Sequence, residues 1–562
     1  MVDSILKCTD EDVDLLFKSD IIRLTVDKYL TDLNQDEVIV YQDVTDLNEE
    51  FKYLLKSLIL VFGEDFKFAD LEEIDTNEVM TNVVHLENDI NGNNDEVGTI
   101  INSKILSDTI AMYIKDFAEE DESPIVILSE PVWRDSYIGG VKTAGELRNI
   151  FGALGVMFKN TDYIDLNSLD ANIIKGLNDN DVDEILKSNI IGWTIESELE
   201  ALDGQLVVND ITNLNTELKA LVKAIEIVFD ENVDLNNPEF NVDVILEITT
   251  DELYQILESR IIFDTSYNEL HNLTEGDLAG ILVFKPGMDE SKEELVNFIN
   301  GIKVVLGNNN LSNMESSDFD VDKFINLTND EIDTILLSVL IKYSAALQLE
   351  SAVYGYDAPL KDYIELSSNE DVRIYTIEED LDNLIRVLRD LNNKGIDYNE
   401  FSYESFENAI NSGDDPDKNA EDIADILIQS TIITQSLNKM MRNLLSDVLS
   451  SEDMQNVNTN LTEIQWKGTN SEEGELSRLL KLLIEIDKFV GEDANQNSQI
   501  DDPNVIASPL KKINHSIVLH GLLPSFVETA TENVETWMSG DKPQTVGEWD
   551  SEIDILSELI AK

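Results

Sequence analysis

Lys18-Ser19-Asp20-Ile21-Ile22-Arg23-Leu24-Thr25 is the first copy of a phrase that returns through the whole chain. Its frame is a serine, one variable residue, two large aliphatic residues and, six positions after the serine, threonine or serine. It returns as Ser103-Lys104-Ile105-Leu106 with Thr109, Ser188-Asn189-Ile190-Ile191 with Thr194, and Ser259-Arg260-Ile261-Ile262 with Thr265. Ser338-Val339-Leu340-Ile341 with Ser344 and Ser430-Thr431-Ile432-Ile433 with Ser436 continue the series. A seventh copy, His515-Ser516-Ile517-Val518 with Gly521, reads as one that has lost both polar positions. The anchors 19, 103, 188, 259, 338, 430 and 515 are 71 to 92 residues apart. Recurrence in one register is the signature of a repeat architecture.

A second phrase alternates with the first: an acidic residue, then Leu-x-x-Leu/Ile-Ile/Leu-x-x-Ile/Leu. Copies begin at Glu50-Phe51, Glu146-Leu147, Glu217-Leu218, Glu294-Leu295, Asp380-Leu381 and Glu475-Leu476, with a truncated one at Glu552-Ile553. Apolar residues at this spacing make one face of a helix of three to four turns. The acid falls in the first turn, where it favours the helix dipole. Before these helices lie short β-prone runs: Val38-Ile39-Val40-Tyr41, Ile125-Val126-Ile127-Leu128, Leu206-Val207-Val208, Ile281-Leu282-Val283-Phe284 and Arg373-Ile374-Tyr375.

Each unit therefore reads as strand, helix A, an acidic Asn/Asp-rich loop, helix B and helix C. Thr328 or Asn329 is the expected N-cap of one helix B. The predicted class is mainly α with short β segments, an elongated tandem array of about seven strand-helix-helix-helix units, the first and last incomplete. Residues 1–35 are a half unit holding helices B and C. Full repeats follow at 36–119, 120–203, 204–276, 277–370, 371–460 and 461–541, and 542–562 is a half unit of strand and helix A. Units of this length are either small domains or share cores with their neighbours. The two end pieces are complementary halves, as in a fragment, a closed ring or chains joined head to tail.

The recurring serine (Ser19, Ser103, Ser188, Ser259, Ser338, Ser430) has two structural readings. It caps helix C with the following aliphatic pair turned inward, or it is a small residue at a close helix crossing. The later Thr/Ser is expected to hydrogen-bond a carbonyl one turn back. A serine repeated six times with no companion His or Lys is a poor nucleophile.

Composition narrows the partners. Asp and Glu number 115 against 39 Lys and Arg, a formal net charge of −76. Such a chain repels nucleic acid and anionic lipid. The apolar share, 42%, still suffices for packed cores. One cysteine, Cys8, permits no disulfide within the chain. No signal peptide is legible at Met1-Val2-Asp3-Ser4, and the longest apolar stretch, around Tyr53 to Phe62, is too short to span a bilayer. No membrane insertion and no nucleic-acid partner are expected.

The histidines are His85, His271, His515 and His520, and five residues between the last two suit no pair of ligands on one helix face. No Gly-rich phosphate loop, Cys/His cluster or nucleophile elbow is present, so no catalytic or cofactor-binding residue is expected. The best chemical hint is Asp493-Ala494-Asn495-Gln496-Asn497-Ser498-Gln499-Ile500. Asp493, Asn495 and Asn497 are placed like the first oxygen ligands of an EF-hand-type calcium loop. Ser498 replaces its turn glycine, and Asn504 stands where a bidentate Glu belongs, so a solvated loop competes with the metal reading. Trp133, Trp466 and Trp549 fall near the start of helix A and read as core.

The alternation of Ser-x-Ile-Ile/Leu-x-x-Thr with strand and Glu-Leu-x-x-Leu-Ile helix resembles repeats of very large uncharacterised surface proteins of Firmicutes and wall-less bacteria. The resemblance implies extracellular display, with adhesive or scaffolding use and a cell-surface protein, host protein or glycan as partner. The absent signal peptide departs from that pattern and leaves a cytoplasmic location open. The expected function is a non-enzymatic structural or adhesive repeat protein. A filament or sheath subunit, with itself as partner through the complementary ends, is the first alternative. A calcium-responsive binding module is the second.

Overall fold

Short polar residues open the helices. Thr9, Asn178, Thr249 and Thr328 each accept from the third helical amide, and an acid at that position reaches back to the cap amide, a reciprocal capping box. Asp46, Asp75, Asp95 and Asp415 cap four more, the last with Pro416 at the first helical position. The computed structural model describes residues 6–63, 75–92, 94–120, 123–159, 161, 164, 171–202, 204–208, 212–229, 244–276, 278, 281–307, 326–356, 358, 360–362, 364–366, 373–396, 403–448, 461–469, 472–490, 503–520 and 545–560. Of the described residues, 68% are helix and 3% strand, so the class is mainly α.

The chain forms two bodies, Met1–Leu270 and His271–Lys562. In the first, α1 (Asp10–Leu16), α2 (Asp20–Gln35), α3 (Leu47–Phe62), α4 (Thr76–Val84), α5 (Glu96–Asn102) and α6 (Lys104–Ala118) precede a hairpin of β1 (Ser136–Ile138) and β2 (Val141–Thr143). Then come α7 (Glu146–Met157), α8 (Asp179–Ile185), α9 (Asn189–Ala201), α10 (Leu214–Val228), the single turn α11 (Val244–Glu247), α12 (Thr250–Ile256) and α13 (Arg260–Glu275). The second body holds α14 (Lys292–Leu306), α15 (Asn329–Leu337), α16 (Val339–Tyr354), α17 (Arg373–Asn393), α18 (Tyr403–Asn411), α19 (Pro416–Leu427) and α20 (Thr431–Val448). It continues with α21 (Glu463–Lys467), β3 (Gly468–Thr469), β4 (Glu472–Glu473), α22 (Glu475–Val490), α23 (Pro503–His515) and α24 (Val546–Ile560).

Packing inside each body runs between neighbours in sequence. In the first, α3 lies on α1, α4, α5 and α6, α7 on α4, α5, α8 and α9, and α10 on α8 and α12. In the second, α17 lies on α15, α16, α19 and α20, α22 on α18, α19 and α23, and α24 on α23. A helix of the acidic phrase thus packs on the helices before and after it. The cores follow: Val222 of α10 closes with Ala153, Val182 and Ile185, and Leu476 and Leu480 of α22 close with Ile423 and Leu427 of α19. Cores are shared across successive stretches of chain, because neither amphipathic face can leave water alone.

The β-prone runs are a correction. Val38–Tyr41 and Ile125–Leu128 form no strand, Leu206 and Leu282 make only isolated bridges, and Arg373-Ile374-Tyr375 opens α17. The two short hairpins lie elsewhere, with Ser136 opposite Thr143 and Gly468 opposite Glu473. Gly139 and Gly140, at φ 61° and 86°, make the two-residue turn of the first, a geometry that side chains resist. The runs instead each give an amide to a hydroxyl on a distant helix: Val40 to Thr109 (2.9 Å), Val126 to Thr194 (3.1 Å), Val207 to Thr265 (2.8 Å) and Val283 to Ser344 (2.8 Å). In the next unit the donor is Glu365, to Ser436 at 3.0 Å, upstream of Arg373. β-branched residues suit any pleated, half-buried surface, and here that surface is a helix.

Among the described residues no single helix is long and apolar enough to cross a membrane. The pair α15–α16 bends by 96° at Ser338, with Ile332, Ile335 and Leu340 buried.

Candidate functional site

The two phrases of the sequence meet in space. At the start of α6, Ser103 caps the helix and its hydroxyl donates to Glu50 Oε1 at 2.5 Å. The next two amides complete the grip: Lys104 N reaches Glu50 Oε2 and Ile105 N reaches Oε1, both at 2.9 Å. Ser103 Oγ itself accepts from Leu106 N at 3.2 Å. The first three helical amides are thereby satisfied, two by a carboxylate from a helix about fifty residues upstream.

The arrangement recurs at four more helix starts and at the turn that follows α23. Ser188 and the amides of Asn189 and Ile190 hold Glu146, and Ser259 with Arg260 and Ile261 holds Glu217. Ser338 with Val339 and Leu340 holds Glu294, and Ser430 with Thr431 and Ile432 holds Asp380. Ser516 with Ile517 and Val518 holds Glu475. The intervals from acid to serine run from 41 to 53 residues. All six serines are at most 2% exposed and all six acids at most 7%.

Ser516, one residue beyond the expected anchor His515, carries this contact and also accepts from Leu519 N at 2.9 Å. The seventh copy has therefore kept its serine, as Ser516-Ile517-Val518-Leu519.

An ionised carboxylate away from water needs compensation. Here it is a hydroxyl, two amides and the positive end of a helix dipole, the donor set that binds anions at helix N-termini. For five of the acids no Lys or Arg comes within ion-pair distance among the described residues, and Glu475 has Arg478 only at 4.0 Å. Both carboxylate oxygens point into the helix start, a geometry that locks two helices together.

Ser19 differs. It caps α2 and accepts from Ile22 N at a long 3.5 Å, but among the described residues no carboxylate reaches its hydroxyl or the amides of Asp20 and Ile21. Ile21 is 78% exposed, whereas Ile105, Ile190, Ile261, Leu340, Ile432 and Val518 at the same position are 3% or less. Thr25 bonds Ile21 O at 2.7 Å, as Thr194 and Ser436 bond their own carbonyls one turn back, yet among the described residues no amide from another segment donates to it.

The remaining candidates are placed as follows. Asp493, Asn495 and Asn497 lie outside the described residues. Among the described residues no group of three or more His, Cys, Asp or Glu is placed to hold a metal ion. His85 bonds Thr161 O, His271 stacks on Phe284, His515 meets Asp550 at 2.8 Å, and His520 meets Asn514. Trp466 and Trp549 are buried, Trp466 giving its ring N–H to Asn438. Trp133 is half-buried and bonds Glu130.

Two charged clusters escaped the sequence reading. Arg148, 3% exposed, forks onto Asp95 (2.7 and 2.9 Å) and Asp135 (2.8 and 3.0 Å), with Asn88 at 2.8 Å. Burial alone pushes both aspartates up, but the Arg148 guanidinium outweighs it and holds them below the usual carboxylate range. The second is a cleft of about 600 Å³ between α22, α23 and α24, where basic groups gather in a very acidic chain. Each lysine there is matched: Lys481 by Glu421 and Glu473, Lys511 by Asp554, Lys512 by Glu485. Neither cluster has a local sequence signature, because its members come from separate helices.

No protein-family model, curated protein or solved structure matches this chain.

Proposed function

We propose that this chain is a non-enzymatic structural repeat protein, a scaffold or adhesin displayed outside the cell or on its surface. The observation that carries the reading is the carboxylate lock, built from a serine and an acid at five helix starts and at one further turn. Six copies of one lock, with both oxygens occupied, suit the joining of helices; a reaction needs only one site. Shared cores between sequence neighbours support an elongated tandem array, in which length follows from repetition. The net charge of −76 keeps such an array soluble.

Small-angle scattering of the purified chain tests the array. A compact globule of this length has a radius of gyration of about 24 Å, and a value near that would overturn the elongated reading. Antibody labelling of intact cells of the source organism tests display; labelling only after permeabilisation would overturn it.

End-to-end self-assembly is the second reading, favoured by the helix start at Ser19, which carries the donors of a lock and, among the described residues, is reached by no carboxylate.

A further inference from the structure

We infer that the tip of the β1–β2 hairpin is a pairing surface for a second copy of this chain. Tyr137, Ile138 and Val141 flank the Gly139-Gly140 turn and are 74%, 68% and 68% exposed. Ile138 and Val141 stand opposite each other in the register and share one face with Ser136 and Thr143, while Tyr137 and Lys142 lie on the other. Lys142 is drawn inward to Asp95 (3.2 Å) and Asp135 (3.3 Å). The outer face therefore carries apolar side chains and two hydroxyls, and no charge.

The hairpin does not need these side chains in order to form, because the second body builds its counterpart without them. Each hairpin lies between a tryptophan and a glycine that precedes a lock acid: Trp133, Gly145 and Glu146 in the first body, Trp466, Gly474 and Glu475 in the second. A Cβ on Gly145 would lie 2.3 Å from Arg134 C, and one on Gly474 would lie 2.3 Å from Trp466 O, so both chains fold back through the same close approach. Yet the strands of the second hairpin are Gly468-Thr469 and Glu472-Glu473, with no large apolar residue. The apolar tip of the first is thus surplus to the fold, and exposed apolar surface of that kind marks a contact.

Charge selects the occupant. From Pro124 to Gly145 the acids Glu130 and Asp135 are balanced by Arg134 and Lys142, whereas 76 excess negative charges are spread over the 562 residues. Glu130 is also met by Lys115, and Asp135 by Arg148. A basic partner is drawn more strongly to the rest of the chain, and an anionic partner is repelled by it. A second copy is equally acidic and meets least repulsion where the charge cancels, on a face that matches its own. Asp135 also accepts from Gly145 N at 3.0 Å, so the base of the hairpin is fixed and little order is lost on contact. The tip offers about 500 Å² per copy, and a symmetric pair removes about 1,000 Å² from water, the size of a weak, reversible contact. A two-fold contact closes at two copies, unlike end-to-end joining.

Sedimentation equilibrium of the full chain at about 0.5 M salt, where screening acts within a few ångströms, is expected to show monomer and dimer. The expected dissociation constant is on the order of 10–100 μM. Ile138→Asp and Val141→Asp, both at exposed positions, should each weaken pairing at least tenfold while leaving the circular dichroism and melting of the chain unchanged. Glu472→Ala in the acidic hairpin should leave pairing as it is. A chain that stays monomeric at about 300 μM overturns the inference. So does association that ignores Ile138→Asp and Val141→Asp, and growth past two copies in those variants would speak for end-to-end joining instead. Binding of a monomeric chain to neutral phosphatidylcholine vesicles, abolished by Ile138→Asp, would assign the face to a lipid surface and overturn the pairing.

Discussion

Ser259 and Ser19 are the same residue in the same phrase, and they live in opposite surroundings. Around Ser259 the hydroxyl, the amides of Arg260 and Ile261 and the buried Glu217 form a closed set, and Ile261 is 2% exposed. Around Ser19, among the described residues, the hydroxyl serves only its own helix, and Ile21 faces solvent. The difference teaches that the serine alone makes a cap, while the distant acid converts the cap into a joint between helices. The local half is worth what any N-cap is worth; the tertiary half adds burial and three hydrogen bonds to an ionised group.

Removing the acid should break the closed site hardest. Glu217→Ala strands a hydroxyl and two amides in a buried place, and the expected loss is about 3–5 kcal/mol, the sum of such desolvation costs. Urea unfolding of the chain measures it, with hydrogen exchange to show that the opening centres on residues 259–263. A loss below about 1 kcal/mol would mean that water enters and replaces the carboxylate, and the joint would then be weak.

Substituting the serines sharpens the contrast. Ser259→Ala should cost about 1–2 kcal/mol, since both its cap bond and its bond to Glu217 vanish. Ser19→Ala should cost about 0.5 kcal/mol, the low end for an exposed cap. Equal losses at the two positions would show that the carboxylate adds nothing to the serine.

Much of this was legible in the sequence and one essential part was not. The two phrases, their alternation, the amphipathic helices and the capping role of the serine all follow from local patterns. What the acid does was hidden, because Glu217 before Leu218 equally suits the dipole of its own helix. Its true partner is 42 residues away and carries no complementary charge that might betray it. The β-prone runs misled for a related reason: Val40 and Val126 have strand composition, but each spends one amide on a helix hydroxyl and finds no neighbouring strand. Ser516 was missed by a single residue of register, and Arg148 with Asp95 and Asp135 draws on segments that periodicity treats as unrelated.

That arginine cluster gives the comparison a charged counterpart, since its two buried carboxylates are held by a cation rather than by a helix start. Asp95 and Asp135 are depressed in the folded state, so the stability they contribute is fully present above the ordinary aspartate value of 3.8 and is lost as pH falls through the lower folded values. Arg148→Met removes the strongest of the groups that depress them and leaves the Gly98 and Gly145 amides and Lys142 against burial, which raises them. Acid unfolding followed by circular dichroism should then begin at a higher pH in the variant than in the parent chain. An unchanged acid limb would show that the two aspartates do not govern it.

The smallest expected difference lies six residues after each serine, at Thr109 and Thr25. Thr109 Oγ1 accepts the amide of Val40, which lies 69 residues away, and Thr109 is buried. Thr109→Val keeps the shape and strands that amide, so a loss of about 1 kcal/mol is expected. Thr25 bonds only the carbonyl one turn back, on an exposed face, and a carbonyl there is readily taken by water. Thr25→Val should therefore change stability by no more than about 0.5 kcal/mol in either direction. If Thr25→Val proved as costly as Thr109→Val, the hydroxyl would matter for the helix itself. The extended run would then be a passenger on helix C, and the lock would consist of the carboxylate alone.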